Sequence, residues 1–201
     1  PRSYLWAVDF DGKTLNPRWL HASTSRSEWN VTDGAGNVVA SAKDLPATAY
    51  GQGAHSIAVG DVDGDGCDEI TYGSAAIDHD GTLLYSTGLG HGDAQHLADL
   101  DPDRPGLEYF MVHESRPYGL DLRDARTGEI LVRTSGPEDT GRGLAADIDA
   151  NHRGYEMWCS DAKTIYAVNG DVIKHPQGWT PQNFRIYWDG DLQDELTGNG
   201  G

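Results

Sequence analysis

Alternating carboxylates in short loops are the residues of this sequence with the most specific chemistry. The first loop offers five oxygen donors at every second position: Asp61, Asp63, Asp65, the backbone carbonyl of Cys67 and Glu69. Alternation turns these oxygens toward one point, and Gly64 and Gly66 allow the backbone to wrap tightly. Carboxylate and carbonyl oxygens in such numbers are the ligands that Ca²⁺ prefers. The loop therefore predicts a calcium site.

The same arrangement occurs three more times. The second loop contains Asp99, Asp101, Asp103 and Glu108, the third Asp147, Asp149, Asn151 and Glu156, and the fourth Asp189, Asp191 and Glu195. One such cluster could be a solvated turn whose aspartates cap the backbone. Four in register instead predict several calcium ions, and Mg²⁺ is disfavoured because it dehydrates reluctantly. The fourth loop is compressed and has Gln193 at its fifth position, which weakens its case.

The elements that position these loops are predicted to be short strands. The leading aspartates recur 38, 48 and 42 residues apart, which is the period of a propeller blade. Asp-Gly, Thr-Gly and Asn-Gly pairs predict hairpin turns at 78–81, 127–128 and 169–170. A helical period over three turns is absent from the sequence. The predicted fold is all-β, a β-propeller with calcium loops.

The repeats predict about three complete and two partial blades in the 201 residues. Residues 1–54 are interpreted as the end of one blade plus a connection, with the polar segment 23–47 running between blades. Residues 55–95, 96–142 and 143–184 are interpreted as blade units, and 185–201 as the start of the next. Such a chain would have open ends, and we expect the rest of the propeller or another chain to cover them.

Composition excludes several classes of partner. The 15 basic and 32 acidic side chains give a formal charge of −17, which repels nucleic acid and anionic lipid. Apolar residues make up 37% of the chain, but they form no run long enough to span a membrane. Cys67 and Cys159 are expected to be unpaired thiols, although the sequence leaves a disulfide between them open.

Several longer strings are similar to one known family. They occupy residues 51–55, 88–108, 139–143 and 187–192, and the longest reads GLGHGDAQHLADLDPDRPGLE. These strings resemble the rhamnogalacturonan lyases of polysaccharide lyase family 11, with a likeness from about Tyr4 to Leu196. The resemblance implies a secreted, eight-bladed calcium propeller that cleaves pectic rhamnogalacturonan by β-elimination. This chain would be about half of such a propeller.

Segments just before the acidic loops carry the candidate catalytic residues. His55, His91 and Arg142 stand near glycines at equivalent points of the repeats, so we expect them to converge near the propeller axis. The resemblance implies that Arg142 binds a uronate carboxylate, and that the two histidines bind substrate or metal. Three further candidates for substrate contact are Asp93, His113 and Glu114. Each histidine could instead be an ordinary residue hydrogen-bonded to a loop.

β-Elimination at galacturonate requires neutralisation of the carboxylate while a base removes the C5 proton. Arg142 and a calcium ion are the predicted neutralising groups, and the base is not assigned within this chain. The acidic loops are equally typical of non-catalytic calcium propellers used for adhesion or carbohydrate binding, or of a purely structural fragment. The glycine-framed set of His55, His91 and Arg142 favours the lyase.

Overall fold

A computed structural model describes residues 3–25, 27–45, 53–160, 164–173 and 181–198 of the chain. Eighteen strands and no helix occur in these ranges, so the prediction of an all-β fold is confirmed. With no helix among the described residues, none is available to cross a membrane. Residues 51–52, which begin one of the strings that resemble the family, lie outside the described residues.

The first sheet is antiparallel, with its strands in chain order. It consists of β1 (Tyr4–Phe10), β2 (Leu15–Ser25), β3 (Glu28–Asp33) and β4 (Val38–Ala42). The interpretation of residues 23–47 as a connection between blades is therefore wrong. A turn after β3 forms because the Asp33 carboxylate accepts hydrogen bonds from the backbone N–H groups of Ala35 and Asn37, at 2.9 and 2.8 Å.

The other sheets repeat one plan, in which the acidic loop joins the first strand to the second. The second sheet contains β5 (Ala58–Gly60), β6 (Glu69–Tyr72), β7 (Ala75–Ile77) and β8 (Leu83–Ser86). The third contains β9 (Gln95–Ala98), β10 (Glu108–His113), β11 (Gly119–Asp124) and β12 (Ile130–Arg133). The fourth contains β13 (Gly143–Ala146), β14 (Glu156–Cys159), β15 (Ile165–Ala167) and β16 (Val172–Ile173). A last pair contains β17 (Phe184–Ile186) and β18 (Glu195–Thr197).

Successive sheets pack face to face through separate hydrophobic clusters. Tyr109 and Met111 of β10 belong to a cluster shared with the second sheet, while Phe110 and Val112 belong to one shared with the fourth. Every residue of β10 is buried, because alternate side chains enter the two clusters. The first strands also meet in series, since β5 contacts β9, β9 contacts β13 and β13 contacts β17. In the part of the chain that the structure describes, the sheets do not close into a ring.

The two cysteines are not joined by a disulfide. Cys67 is exposed in the first acidic loop, and Cys159 is buried at the end of β14. The expectation of two thiols is confirmed.

Candidate functional site

The first strands of the sheets separate two groups of loops. The acidic loops follow β5, β9, β13 and β17, at one end of the sheets. At the other end lie the segments that precede these strands, together with the residues that follow β10. The candidate catalytic residues belong to this second end.

Four side chains form a cluster there, which we call the histidine–carboxylate cluster: His55, His91, Asp93 and Glu114. One ligand atom from each lies within 4.8 Å of the others. His55 Nε2 lies 3.2 Å from Asp93 Oδ1, and His91 Nε2 lies 3.2 Å from Glu114 Oε2. The two imidazole rings meet edge to face, with centroids 4.9 Å apart. The cluster thus contains two histidine–carboxylate pairs side by side.

Backbone contacts between and within the second and third sheets hold the cluster in place. Ala54 and Gly92 form a parallel bridge, and the His55 N–H donates to the Gly92 carbonyl at 3.3 Å. The Glu114 N–H donates to the His91 carbonyl at 2.9 Å. Gly92 is required here because a Cβ would meet the carbonyl oxygen of Val112. Gly92 therefore allows the segment before β9 to lie directly against β10 of the same sheet.

The tautomer of His91 determines what its other nitrogen can do. Its Nδ1 lies 2.7 Å from the carbonyl oxygen of Gly53, and a carbonyl only accepts, so Nδ1 carries the proton. In a neutral ring the Nε2 lone pair then faces the Glu114 carboxylate. Two acceptors at this distance repel each other unless a proton or a cation lies between them. A ring nitrogen fixed in this way is typical of metal-binding histidines.

The electrostatics of Glu114 point to the same conclusion. Burial raises the pKa of Glu114, and the nearby carboxylates of Asp93 and Asp139 raise it further, while His91 and His55 partly oppose these effects. The cluster is therefore deficient in positive charge when all its carboxylates are ionised. A divalent cation would correct this deficit, and the available donors fit one.

Arg142 directly follows Gly141, a glycine that borders the cluster. A Cβ on Gly141 would lie 3.4 Å from Asp93 Oδ2 and 3.8 Å from Glu114 Oε1, so the segment before β13 borders the cluster. The following residue, Arg142, is exposed, and its carbonyl accepts a hydrogen bond from the Ser160 N–H at 2.9 Å. The structure brings His55 and His91 together as expected. The catalytic roles of these residues and of Arg142 stay predictions.

His113 is not a substrate contact, and that prediction is wrong. Its side chain is fully buried and hydrogen-bonded through Nε2 to Asp121, which also pairs with Arg123 at 2.9 Å. The cause is that β10 is covered on both faces, so a residue at the end of the strand still points inward. The sequence gives no signal for Asp121 and Arg123 as partners, because the pattern of one strand does not show which charged residues face a neighbouring sheet.

In all four acidic loops, the last glutamate accepts hydrogen bonds from the backbone at the start of the loop. Each glutamate is the first residue of the second strand of its sheet, and its Oε2 accepts backbone N–H groups from the loop start. The hydrogen bonds come from Val62 to Glu69, from Leu100 and Asp101 to Glu108, from Ile148 and Asp149 to Glu156, and from Trp188 to Glu195. Oε1 of Glu69 and of Glu156 is buried without a hydrogen-bond partner. These oxygens are free to bind a cation in the loop.

Carboxylates gather most tightly in the first and last loops. The two gathered sets, each with oxygens within 4.8 Å of one another, are Asp61, Asp63 and Glu69, and Asp189, Asp191 and Glu195. The second and third loops hold no comparable group among the described residues. There Asp103 pairs with Arg153 at 2.7 Å, and Asp149 pairs with His152 at 3.1 Å. The fourth loop, which has the weakest ligand pattern in the sequence, therefore brings its three carboxylates together. Calcium binding itself stays a prediction.

One buried carboxylate near the fourth loop escaped the sequence analysis. Asp194 accepts hydrogen bonds from the Asp147 N–H at 3.0 Å and from Arg185 Nη1 at 2.9 Å. It thereby links the third acidic loop to the last strand pair. Asp194 lies outside the alternating pattern of its loop, so the spacing gave no signal for it.

This all-β chain, with its repeated acidic loops and its histidine–carboxylate cluster, is similar in sequence to a class of polysaccharide lyases. The model of the C-terminal domain of rhamnogalacturonan lyase family 11 matches residues 1–200. The chain belongs to this family.

Similar proteins come from Bacillus subtilis strain 168. Rhamnogalacturonan exolyase YesX is 46% identical over 97% of this chain and 30% of its own length. Rhamnogalacturonan endolyase YesW is 47% identical over 90% of this chain and 30% of its own length. The chain therefore spans about 30% of the length of these relatives, and its share of the propeller stays a prediction.

Solved structures show the same relationship. The exotype rhamnogalacturonan lyase YesX has a TM-score of 0.81 and 45% identity, covering 97% of this chain and 31% of that one. The Bacillus licheniformis rhamnogalacturonan lyase PL11 has a TM-score of 0.78 and 46% identity, covering 98% of this chain and 30% of that one. The likeness in structure extends over nearly the whole chain.

Proposed function

We propose that this chain is part of the catalytic domain of a lyase that cleaves the rhamnogalacturonan backbone by β-elimination at galacturonate. The observation that carries the proposal is the convergence of two histidine–carboxylate pairs and the Arg142 segment at one end of the sheets. This convergence occurs in a chain of the family whose relatives are named as exo- and endolyases. A purely structural domain would not need such a cluster at its surface.

We propose further that the sheets are blades of a propeller. Neighbouring sheets pack face to face, and β5, β9, β13 and β17 lie next to one another. First strands that adjoin in series are the arrangement of strands around a propeller axis. The histidine–carboxylate cluster then lies at one end of the axis and the acidic loops lie at the other.

The cluster is proposed to hold a divalent cation close to the substrate. His55, His91, Asp93 and Glu114 would bind it, since their ligand atoms already lie within 4.8 Å of one another. When bound, the ion would add positive charge where an anionic sugar docks. Arg142 would supply the planar guanidinium that pairs with the uronate carboxylate in bidentate geometry. Neutralising that carboxylate makes the C5 proton more acidic and favours expulsion of the O4-linked sugar.

Calcium in the acidic loops is proposed to stabilise the fold. The glutamates that close the loops are already oriented by backbone hydrogen bonds, and the unpartnered Oε1 atoms of Glu69 and Glu156 face inward. Without an ion, the gathered carboxylates of a loop repel one another.

Because polymeric pectin is too large to enter a cell, we also propose that the protein acts outside the cell.

Replacing Arg142 by alanine in the intact protein tests this proposal. We expect a loss of at least about 100-fold in kcat/KM on rhamnogalacturonan, because the charge that stabilises the developing carbanion is removed. Activity is measured by the absorbance of the unsaturated sugar that β-elimination produces. Calcium in the acidic loops should not change, since Arg142 lies at the opposite end of the sheets from them.

Arg126→Ala is the matched control. Arg126 is an exposed arginine in the turn between β11 and β12, so its removal should leave kcat/KM at the wild-type value. Full activity of Arg142→Ala would refute the role of this residue. If the intact wild-type protein binds the polysaccharide without producing an unsaturated sugar, it is a carbohydrate-binding module instead.

A further inference from the structure

A turn beside the first acidic loop carries ligands of a different chemical type. His79 lies in the turn between β7 and β8, and its Nδ1 is 3.6 Å from Asp65 Oδ2. Cys67 Sγ, an Asp65 carboxylate oxygen and a His79 ring nitrogen all lie within 4.8 Å of one another. Thiolate, imidazole and carboxylate together are a ligand set typical of zinc, whereas calcium takes oxygen ligands. Among the four acidic loops, the first alone contains a cysteine.

The backbones on both sides of this group are fixed. The Cys67 N–H donates to Asp65 Oδ1 at 2.7 Å, which leaves Oδ2 directed toward His79. Trp19 of the first sheet donates its indole N–H to the His79 carbonyl at 2.9 Å. Tetrahedral zinc with bonds of about 2.0–2.3 Å needs ligand atoms roughly 3.5 Å apart. Because all three ligand side chains are exposed, small rotations can bring them to this spacing.

A buried carboxylate oxygen, which the first acidic loop also offers to calcium, lies beside this group. Glu69 is fully buried, and its Oε1 has no hydrogen-bond partner. This oxygen lies 3.7 Å from His79 Nδ1, on the interior side of the group. Asp78 Oδ1 lies 2.7 Å from the same nitrogen. A buried oxygen that lacks a donor costs free energy unless a cation or a protonated group satisfies it.

We propose that Cys67, His79 and Asp65 form a binding site for a thiophilic divalent cation of the zinc class. Glu69 faces the site from the interior and can complete the coordination. Asp65 and Glu69 also belong to the proposed calcium loop, so zinc and calcium compete for them. Zinc would therefore alter the first loop and leave the other three unchanged.

Titration of the intact protein with Co²⁺, in buffer without added calcium, tests this site. Cobalt adopts zinc geometry, and a cobalt–thiolate bond produces a charge-transfer absorption band. We expect a band that saturates at about one equivalent per chain and that is lost in Cys67→Ser. His79→Gln should weaken cobalt binding by about tenfold or more. The band requires no polysaccharide, so its outcome is independent of the proposed lyase activity.

Two variants are controls that should retain the band. Asp68→Asn removes one exposed charge from the same loop, and Asp68 lies outside the ligand group. Cys159→Ala removes the buried thiol. A band of wild-type intensity in Cys67→Ser, or no band at saturating cobalt in the wild type, would overturn the proposal.

A second measurement uses the reactivity of the thiol itself. Exposed Cys67 should react with a disulfide reagent such as Ellman's reagent, while buried Cys159 should not. Zinc should slow the reaction of Cys67 at least about tenfold, because the bound thiolate is unavailable. The site would be excluded if zinc left the rate unchanged in the wild type.

Discussion

The third sheet contains a fully buried charged group formed by His113, Asp121 and Arg123. Asp121 accepts a hydrogen bond from His113 and pairs with Arg123, whose guanidinium lies 4.6 Å from the ring centroid of Tyr109. Burial of an isolated guanidinium costs several kcal/mol, so the group depends on its carboxylate. His113 directly precedes Glu114 in the sequence. The buried group thus supports the end of β10, which carries part of the histidine–carboxylate cluster.

Asp121→Asn should therefore destabilise the protein strongly. It leaves Arg123 buried without an opposite charge, and we expect the free energy of unfolding to fall by about 3–5 kcal/mol. Urea denaturation monitored by fluorescence measures this change. The double variant Asp121→Leu/Arg123→Met should lose less than Asp121→Asn, because no charge remains buried.

Glu129→Gln, an exposed change in the turn between β11 and β12, is the control and should stay within about 0.5 kcal/mol of the wild type. A loss below about 1 kcal/mol in Asp121→Asn would contradict the argument, since it would mean that Arg123 reaches water.

At the residue scale, contacts within one loop can be predicted from sequence because they depend on local spacing. The spacing of Asp61, Asp63 and Glu69 predicted that their carboxylates would gather, and they do. His113 and Asp121 belong to different strands, so their contact depends on register and on which face a neighbouring sheet covers. Neither quantity is available from the spacing of residues along one strand.

At the scale of the element, the acidic loop is a strand-to-strand turn locked by one glutamate. In the third loop, burial raises the pKa of Glu156 to about 7, although the N–H groups of Ile148 and Asp149 partly oppose the rise. The loop therefore favours a protonated glutamate when no cation is present. Calcium would reverse this preference, because it binds the ionised form.

The stability of the calcium-free protein should consequently decrease as pH rises. The Glu156 carboxyl has a higher pKa in the folded state than its ordinary value of 4.5. The folded state therefore holds more protons between these values, and its stability is lost as pH rises from about 4.5 to about 7. We expect a loss of roughly 2–3 kcal/mol, measured by thermal or urea unfolding in EDTA.

Two comparisons identify the source of that loss. Glu156→Gln should flatten the pH dependence in EDTA, since the glutamine does not titrate. Excess calcium should raise the melting temperature at pH 7 and remove most of the dependence, because the ion stabilises the ionised loop. An EDTA-treated wild-type protein with the same melting temperature as the calcium-loaded one would exclude a structural role for the ion.

Element boundaries were predictable where turn chemistry was explicit. The Asp-Gly turn at 80–81 joins β7 to β8, as its sequence indicated. Strands β3 and β4 were missed because small and polar residues obscured the period-2 pattern around Trp29 and Val31. Only packing against the second sheet shows that Val31 is fully buried. Tertiary contacts here decide which of two weak local patterns forms a strand.

At the scale of the whole molecule, the first sheet has one covered face and one open face. Leu5 and Ala7 pack toward the second sheet, whereas Tyr4, Trp6 and Phe10 are 55%, 59% and 68% exposed. Three aromatic residues on one strand are an unusual exposure for a protein surface. Because the chain spans about 30% of its relatives, we propose that the remaining part of the propeller covers this face.

Trp6→Arg in the intact protein tests this assignment. A charge placed in an apolar contact between blades should lower the melting temperature by at least about 4 °C, as measured by calorimetry. Val172→Arg is the control, because Val172 lies exposed on the outer strand of its sheet and should change the melting temperature little. Equal, small effects of the two variants would show that the aromatic face is open to water.

Each four-stranded sheet can form while the rest of the chain is still being synthesised on the ribosome. Each four-stranded sheet comes from one continuous stretch of chain, so its strands can pair as soon as that stretch has emerged. At about 5–20 residues per second, a stretch of about 40 residues takes roughly 2–8 s to make. During that time a sheet such as β9–β12, which is apolar on both sides, has only its predecessor to pack against. The face awaiting its successor is then a natural site for a chaperone, or for mispairing between nascent chains on neighbouring ribosomes.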